Sequence, residues 1–264
     1  WRDWSSDVCS SDLGALVHNC YQFTFDDNDV KYFAATITPP WENSVSPPIQ
    51  TPTHQGLIEF DIDNLEWAES NLSINVRSAV QIPGTNKVAA LSQEPSNTDG
   101  TATITNLYML EWDSESHAFN SDPLYNKQFP SCPKSEGSGD VILDPEFDPD
   151  NNNILWISIR GNVPDSVPVP TQDPSPASLC APSGYPMSQI YKIEILKDSF
   201  DTKAVYDIPV CPRYMTFINN KLYICGENNM LLIYDDYNNI SDSNAKITNV
   251  FDDNTLSLQF ALKI

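Results

Sequence analysis

The chain has 264 residues, 40% of them apolar, and 36 acidic against 14 basic side chains leave a net charge of −22. A surface this acidic repels phosphate backbones and anionic lipid, so nucleic acid and membrane surfaces are excluded as partners. No apolar run approaches the roughly 18 residues that a membrane-spanning helix requires, and only nine glycines are present, with no Gly-rich loop to cradle a phosphate.

The N-terminal segment "WRDWSSDVCSSDL" repeats Ser-Ser-Asp. One reading frame of a common sequencing-adapter end encodes Ser-Ser-Asp-Leu, and the stretch from Trp4 to Leu13 resembles its translation. Residues 1–13 are therefore set apart as disordered and adapter-derived, and 14–264 are read as the domain, a fragment of a longer gene product. Without Arg2, Asp3, Asp7 and Asp12 the net charge becomes −20 (−22 + 3 − 1), and Cys9 leaves the cysteine count.

Helical periodicity is scarce, with 21 prolines and many Asn/Asp clusters, so the chain reads as all-β. In chain order, "YQFTFDDNDVKYFAATI" (21–37) predicts a hairpin and "GLIEFDIDN" (56–64) a third strand. The pattern recurs in "RSAVQIPGTNKVAALSQ" (77–93) with "NLYMLEWDS" (106–114), and in "DPEFDPDNNNILWISIR" (144–160) with "QIYKIEILKD" (189–198). It recurs once more in "RYMTFINNKLYICGE" (213–227) with "MLLIYDDYN" (230–238). Each hairpin turns on residues that tolerate positive φ. A weaker fourth strand follows, clearest in 204–208 and 245–251, and "LSLQFALKI" (256–264) reads as the first strand of a fifth unit.

A four-stranded unit repeated at this interval resembles a divergent β-propeller with YVTN- or NHL-like blades: about four blades plus the first strand of a fifth. The resemblance covers nearly everything from residue 19 onward. In such a blade the first strand descends beside the axis and the second returns, so strand two-to-three loops and blade-to-blade loops share an upper face. The unequal insertions fall there: 38–55, 94–104 and 161–188. Long loops gathered on one face of a rigid scaffold are where binding residues are expected.

Candidate ligand-binding residues follow from that placement. Arg77 and Arg213 open the first strands of the second and fourth units, and Arg160 closes the second strand of the third. All three map to the upper face, where planar guanidinium groups suit carboxylate or sulfate. Trp41 and His54 lie in the first long loop, one able to stack on a sugar, the other to act as a base. Asp148, Asp150 and Asn152 are spaced like the start of an oxygen-rich calcium loop, although its glycine and closing glutamate are missing. No cofactor is otherwise expected.

Cys132 and Cys180 stand in Pro/Ser-rich loops on the upper face and are expected to form a disulfide, which implies an oxidising compartment. Cys211 and Cys225 sit at the ends of one hairpin and are a second disulfide candidate, but a two-residue turn would set Cys225 opposite Tyr214, so that their pairing requires a wider turn or a bulge. Cys20 has no evident mate. Asn71-Leu72-Ser73 and Asn239-Ile240-Ser241 are glycosylation sequons. Three histidines and no HxH, HExxH or GxSxG motif make a thin catalytic inventory. The expectation is a secreted or cell-surface binding module for a protein or an acidic glycan. The rivals are a propeller enzyme, such as a lactonase-like hydrolase or a polysaccharide lyase, and a structural extracellular repeat.

Overall fold

The computed structural model describes residues 16–25, 30–37, 56–68, 72, 74–95, 102–129, 132–133, 145–159, 188–208, 210, 212–226, 230–241 and 244–249. These residues form eighteen strands and no helix. Blade 1 is built from β1 (Leu16–Thr24), β2 (Val30–Ile37), β3 (Gly56–Asp61) and β4 (Glu66–Trp67). In blade 2, β5 (Ser78–Gln81), β6 (Lys87–Pro95) and β7 (Ala102–Asp113) are followed by β8 (Ala118–Phe119), β9 (Tyr125–Gln128) and β10 (Cys132–Pro133). Blade 3 comprises β11 (Glu146–Asp148), β12 (Asn151–Ile159), β13 (Ser188–Ile195) and β14 (Phe200–Ile208), and blade 4 comprises β15 (Pro212–Ile218), β16 (Lys221–Gly226), β17 (Met230–Tyr234) and β18 (Ala245–Asn249).

Blades 1, 3 and 4 are antiparallel meanders in chain order, blade 2 follows the same path through β5, β6 and β7, and the four sheets are β-propeller blades. All four predicted hairpins and all four third strands are present. The fourth strands of blades 1 and 2 were not legible in the sequence. β4 has two residues, and the outer edge of β7 is shared among three short strands, β8 at Trp112–Asp113, β9 at Asn106–Met109 and β10 at Ala102–Thr103. The expected strand at 256–264 and the adapter-like segment 1–13 lie outside the described residues.

Chain contacts divide the molecule into two compact units, 1–100 with 104–131 and 101–103 with 132–264. In the first unit, strand alternation places Phe23 and Phe25 on one face with Phe33 of β2, and the rings of Trp112 and Phe119 close over them. Phe25 stacks on Trp112 at 4.8 Å, and Phe119 meets Trp112 edge-on at 5.3 Å. Burying each ring contributes on the order of 1.5–3 kcal/mol. Both faces of the second strand are covered, so Ala34, Ala35, Ala89 and Ala90 are all fully buried and the strand reads as a continuous apolar run. At the rim, the Gln81 side chain accepts from Thr24 N at 2.8 Å and donates back to Thr24 O, tying β5 to β1.

In the second unit, Trp156 and Ile154 of β12, Ile190, Ile208, Met215, Leu222, Ile224, Leu232 and Tyr237 form the corresponding core. Local geometry follows turn chemistry. Asn219 and Asn220 both have positive φ (50° and 61°), which makes the β15–β16 connection a two-residue primed turn. Thr85 N donates to Ile82 O at 3.2 Å across Pro83-Gly84, with Gly84 at φ 70°, a turn that needs glycine for its backbone alone, since a Cβ there would meet nothing. Gly56 is different: at φ 100° a Cβ would also lie 3.1 Å from Ile74 O, because the segment entering blade 2 crosses directly over it.

Candidate functional site

Strand direction assigns two ends to each blade. At the lower ends the connections are rich in Asp and Asn and run from two residues, as at Asn219-Asn220, to the ten of 235–244 between β17 and β18. In blades 1 and 2 the third-to-fourth strand turns are copies of each other: Phe60 faces Trp67 and Trp112 faces Phe119, seven positions on in both cases (60 to 67, 112 to 119). Asp61 accepts from Asp63 N (2.9 Å) and Asn64 N (3.0 Å), and Asp113 accepts from Glu115 N (2.9 Å) and the Ser116 hydroxyl (2.8 Å). These donors hold both carboxyls below the usual carboxylate range. Leu65 and His117 take the matching positive-φ place before the fourth strand. This aromatic-Asp repeat lay in the sequence unnoticed.

At the upper ends, long insertions leave and re-enter the sheets at paired positions: Thr36 faces Gly56 in blade 1, and Ile159 faces Gln189 in blade 3. Trp41, His54, Arg160, Cys180 and Cys211 fall outside the described residues. Arg77 is half-buried, and its N–H donates to Leu91 O at 2.8 Å, which extends β5 upward by one residue. Arg213 is the extra residue of a bulge in β15, since Pro212 pairs with Gly226 but Tyr214 pairs with Cys225. The Tyr214–Cys225 register is the one the two-residue turn implies, and the bulge does not bring about the disulfide expected of Cys225, which is a free thiol. Cys225 is a buried free thiol, and burial pushes its pKa up, which keeps it protonated and unreactive. Cys132 lies in β10 opposite Thr103.

The second strands carry a further upper-end signature. Thr36, Ser92 and Ser158 are all fully buried, and align with Gly226 at the same place of β16 when the four hairpins are superposed in sequence. Thr36 Oγ1 donates to Gly56 O at 3.3 Å, whereas the Ser92 and Ser158 hydroxyls are buried with no hydrogen-bond partner among the described residues. Buried Asn75, Ser78, Thr105 and Asn106 add to this polar upper zone in the first unit, and Ser188 in the second. The lower ends of the same strands are closed by aromatic rings. The upper end of the blade is thus built from small hydrogen-bonding groups, and the lower end from bulk.

The calcium-loop candidates have another role in the geometry. Asp148, 4% exposed, receives Trp156 Nε1 on Oδ2 at 3.0 Å, with Lys192 Nζ 3.3 Å from the same oxygen. Its Oδ1 receives Asp150 N at 3.1 Å, and the Tyr237 hydroxyl lies 3.5 Å from that oxygen while donating its one proton to Asp150 Oδ2. The lone pairs of Asp148 are thereby directed at protein donors, and Asn152 is exposed on β12. Among the described residues no group of three or more His, Cys, Asp or Glu side chains is placed to hold a metal ion.

Lys192 Nζ also lies 4.9 Å from the centre of the Trp156 ring, so one cation serves both the carboxylate and the indole face. Burial, with the Asp150 hydrogen bond and the Asp148 charge, pushes the Tyr237 phenol up to about 12. The cluster joins the lower turn of blade 4 to that of blade 3. It has no accessible nucleophile paired with a base, and its chemistry is that of a clasp. No known protein-family model matches the chain, and no curated protein sequence matches it.

Proposed function

We propose that the chain is a binding module, exported from the cell, that takes a protein or an acidic glycan at the upper ends of its blades. The observation that carries this reading is the asymmetry of the connections. In blades 1 and 3 the third-to-fourth strand turns are four residues long (62–65 and 196–199), whereas the upper connections 38–55 and 160–187 are long excursions from paired strand ends. A rigid meander that returns to register after such an excursion tolerates large changes in the loop, which is the physical basis for placing recognition there. Arg77 and Arg213 begin first strands at these ends, and in a chain of net charge −22 they are the local means of holding an anion.

The experiment is a binding titration of the purified chain with polygalacturonate and with dextran sulfate. It is repeated with residues 38–55 and 161–187 each replaced by Asn-Gly. Saturable, salt-sensitive binding that disappears in the shortened variants supports the glycan form of the proposal. Binding unchanged after both replacements overturns the assignment to the upper loops. Release of unsaturated uronate from the first polymer would favour the lyase rival.

A further inference from the structure

We propose that Asn239 is a site of N-linked glycosylation, an inference that rests on the reading of the chain as exported. Asn239-Ile240-Ser241 carries the acceptor amide, a non-proline middle residue and the hydroxyl two positions on. The fold presents this triplet in a way a chance sequon need not have. It lies in the lower turn between β17 and β18, where Ile240 packs against the core of the second unit and Asn239 is exposed. With the middle side chain anchored inward, the preceding one faces solvent.

The backbone of Asn239 is held on both sides: its N–H donates to Asp236 O at 3.1 Å and its carbonyl accepts from Asn244 Nδ2. Its side-chain amide makes no hydrogen bond to any described residue, so attaching a sugar to that nitrogen removes no interaction of the folded state. Ser241 closes the turn through Asn244, its N–H 3.1 Å and its hydroxyl 3.4 Å from Asn244 Oδ1. The transferase therefore reads the hydroxyl on the nascent chain, before the turn forms. Of the other sequon only the middle residue, Leu72, lies among the described residues, so the placement argument applies to Asn239 alone.

Position adds a consequence. The Tyr237 clasp sets the lower turn of blade 4 beside the β11–β12 turn of blade 3, whereas residues 161–187 leave from the opposite end of blade 3. A glycan on Asn239 stands at the lower end of this unit, opposite the strand ends Ile159 and Gln189 from which that insertion leaves.

The test directs the full chain into the endoplasmic reticulum of a eukaryotic secreting cell with a cleavable signal peptide and maps total membrane-enclosed and secreted protein by mass spectrometry. Treatment with peptide N-glycosidase in heavy-oxygen water should convert Asn239 to labelled aspartate, with that label absent at position 239 in both Asn239→Gln and Ser241→Ala and kept in Ser241→Thr. An unmodified Asn239 peptide in the parent and in Ser241→Thr overturns the inference. The same peptide map reads the compartment separately: free Cys132 and Cys180 thiols count against the extracellular reading, whatever Asn239 carries.

Discussion

Blades 1 and 2 meet through hydrocarbon, and blades 3 and 4 meet around a buried carboxylate. In the first unit the rings of Phe25, Phe33, Trp112 and Phe119 touch one another at 4.8–6.1 Å, and the polar tie, Gln81 to Thr24, stays at the exposed rim. The second unit places Trp156, Phe217 and Tyr237 in an equivalent packing, 5.1–6.4 Å apart, but runs Asp148, Lys192 and the Tyr237 hydroxyl through it. The two solutions differ in how they fail. Ring packing is non-directional and loses stability in proportion to the area and volume removed. A buried carboxylate is satisfied by particular donors, and removing one leaves the others in place around an uncompensated charge.

The largest effects should come from Trp112→Ala and Trp156→Ala, each costing about 3–5 kcal/mol from lost burial and the residual cavity. The milder exchange to Phe separates the two interfaces. Trp156→Phe also removes the donor to Asp148 Oδ2, so it should cost ~1–3 kcal/mol more than Trp112→Phe in urea denaturation. Equal costs at the two positions would break the comparison.

Lys192 is next. Removing one partner of a fully buried pair costs about 3–5 kcal/mol, and because the Lys192 side chain is 24% exposed, Lys192→Met should cost less, about 2 kcal/mol. Asp148→Asn in the same chain should recover part of that loss. A double-mutant cycle with no coupling between positions 148 and 192 would show that the lysine acts only through its stem over Trp156.

Alkaline titration probes the hydroxyl. The Tyr237 phenol is raised from 10.0 to about 12, so the fold favours its neutral form. That stabilisation is complete below pH 10 and is lost as pH rises from 10 towards 12. Urea midpoints of the parent should fall more steeply through that window than those of Tyr237→Phe; parallel curves would remove the clasp from the account.

The smallest expected effects are at the repeated turns. Asp61→Ala and Asp113→Ala should each lower the midpoint slightly at neutral pH. The deficit should vanish in acid, because a depressed carboxylate stabilises the fold above its unfolded value of 3.8 and ceases to do so once protonated. A deficit that persists in acid would point to the turn backbone and away from the charge.

Hairpins were legible because they are local. The Asn219-Asn220 turn and the Pro83-Gly84 turn each announce their backbone geometry in two residues, and flanking apolar runs mark the strands. The fourth strands of blades 1 and 2 were not legible, because pieces as short as Glu66–Trp67 and Ala118–Phe119 carry no alternation of their own and exist only where β3 and β7 offer an edge. The spacing of Phe60-Asp61 to Trp67 and of Trp112-Asp113 to Phe119 could have located them. Of the candidate site, the ends occupied by Arg77 and Arg213 were readable from repeat position, and so was the Cys225–Tyr214 register, whereas the bulge at Arg213 was not.

Asp148 shows where such reading stops. Taken alone, Asp148-x-Asp150-x-Asn152 is a row of oxygen donors in a turn, compatible with a cation. Its partners are Trp156, eight residues on, and Tyr237, which arrives from 89 residues away. By itself the sequence determined the strands, the turns and the order of blades, since these depend on neighbours a few residues apart. Only the tertiary structure decided which groups face the buried carboxylate, because that depends on how the lower turn of blade 4 sits against blade 3, and the energy of a desolvated charge is set by whatever donors that contact supplies.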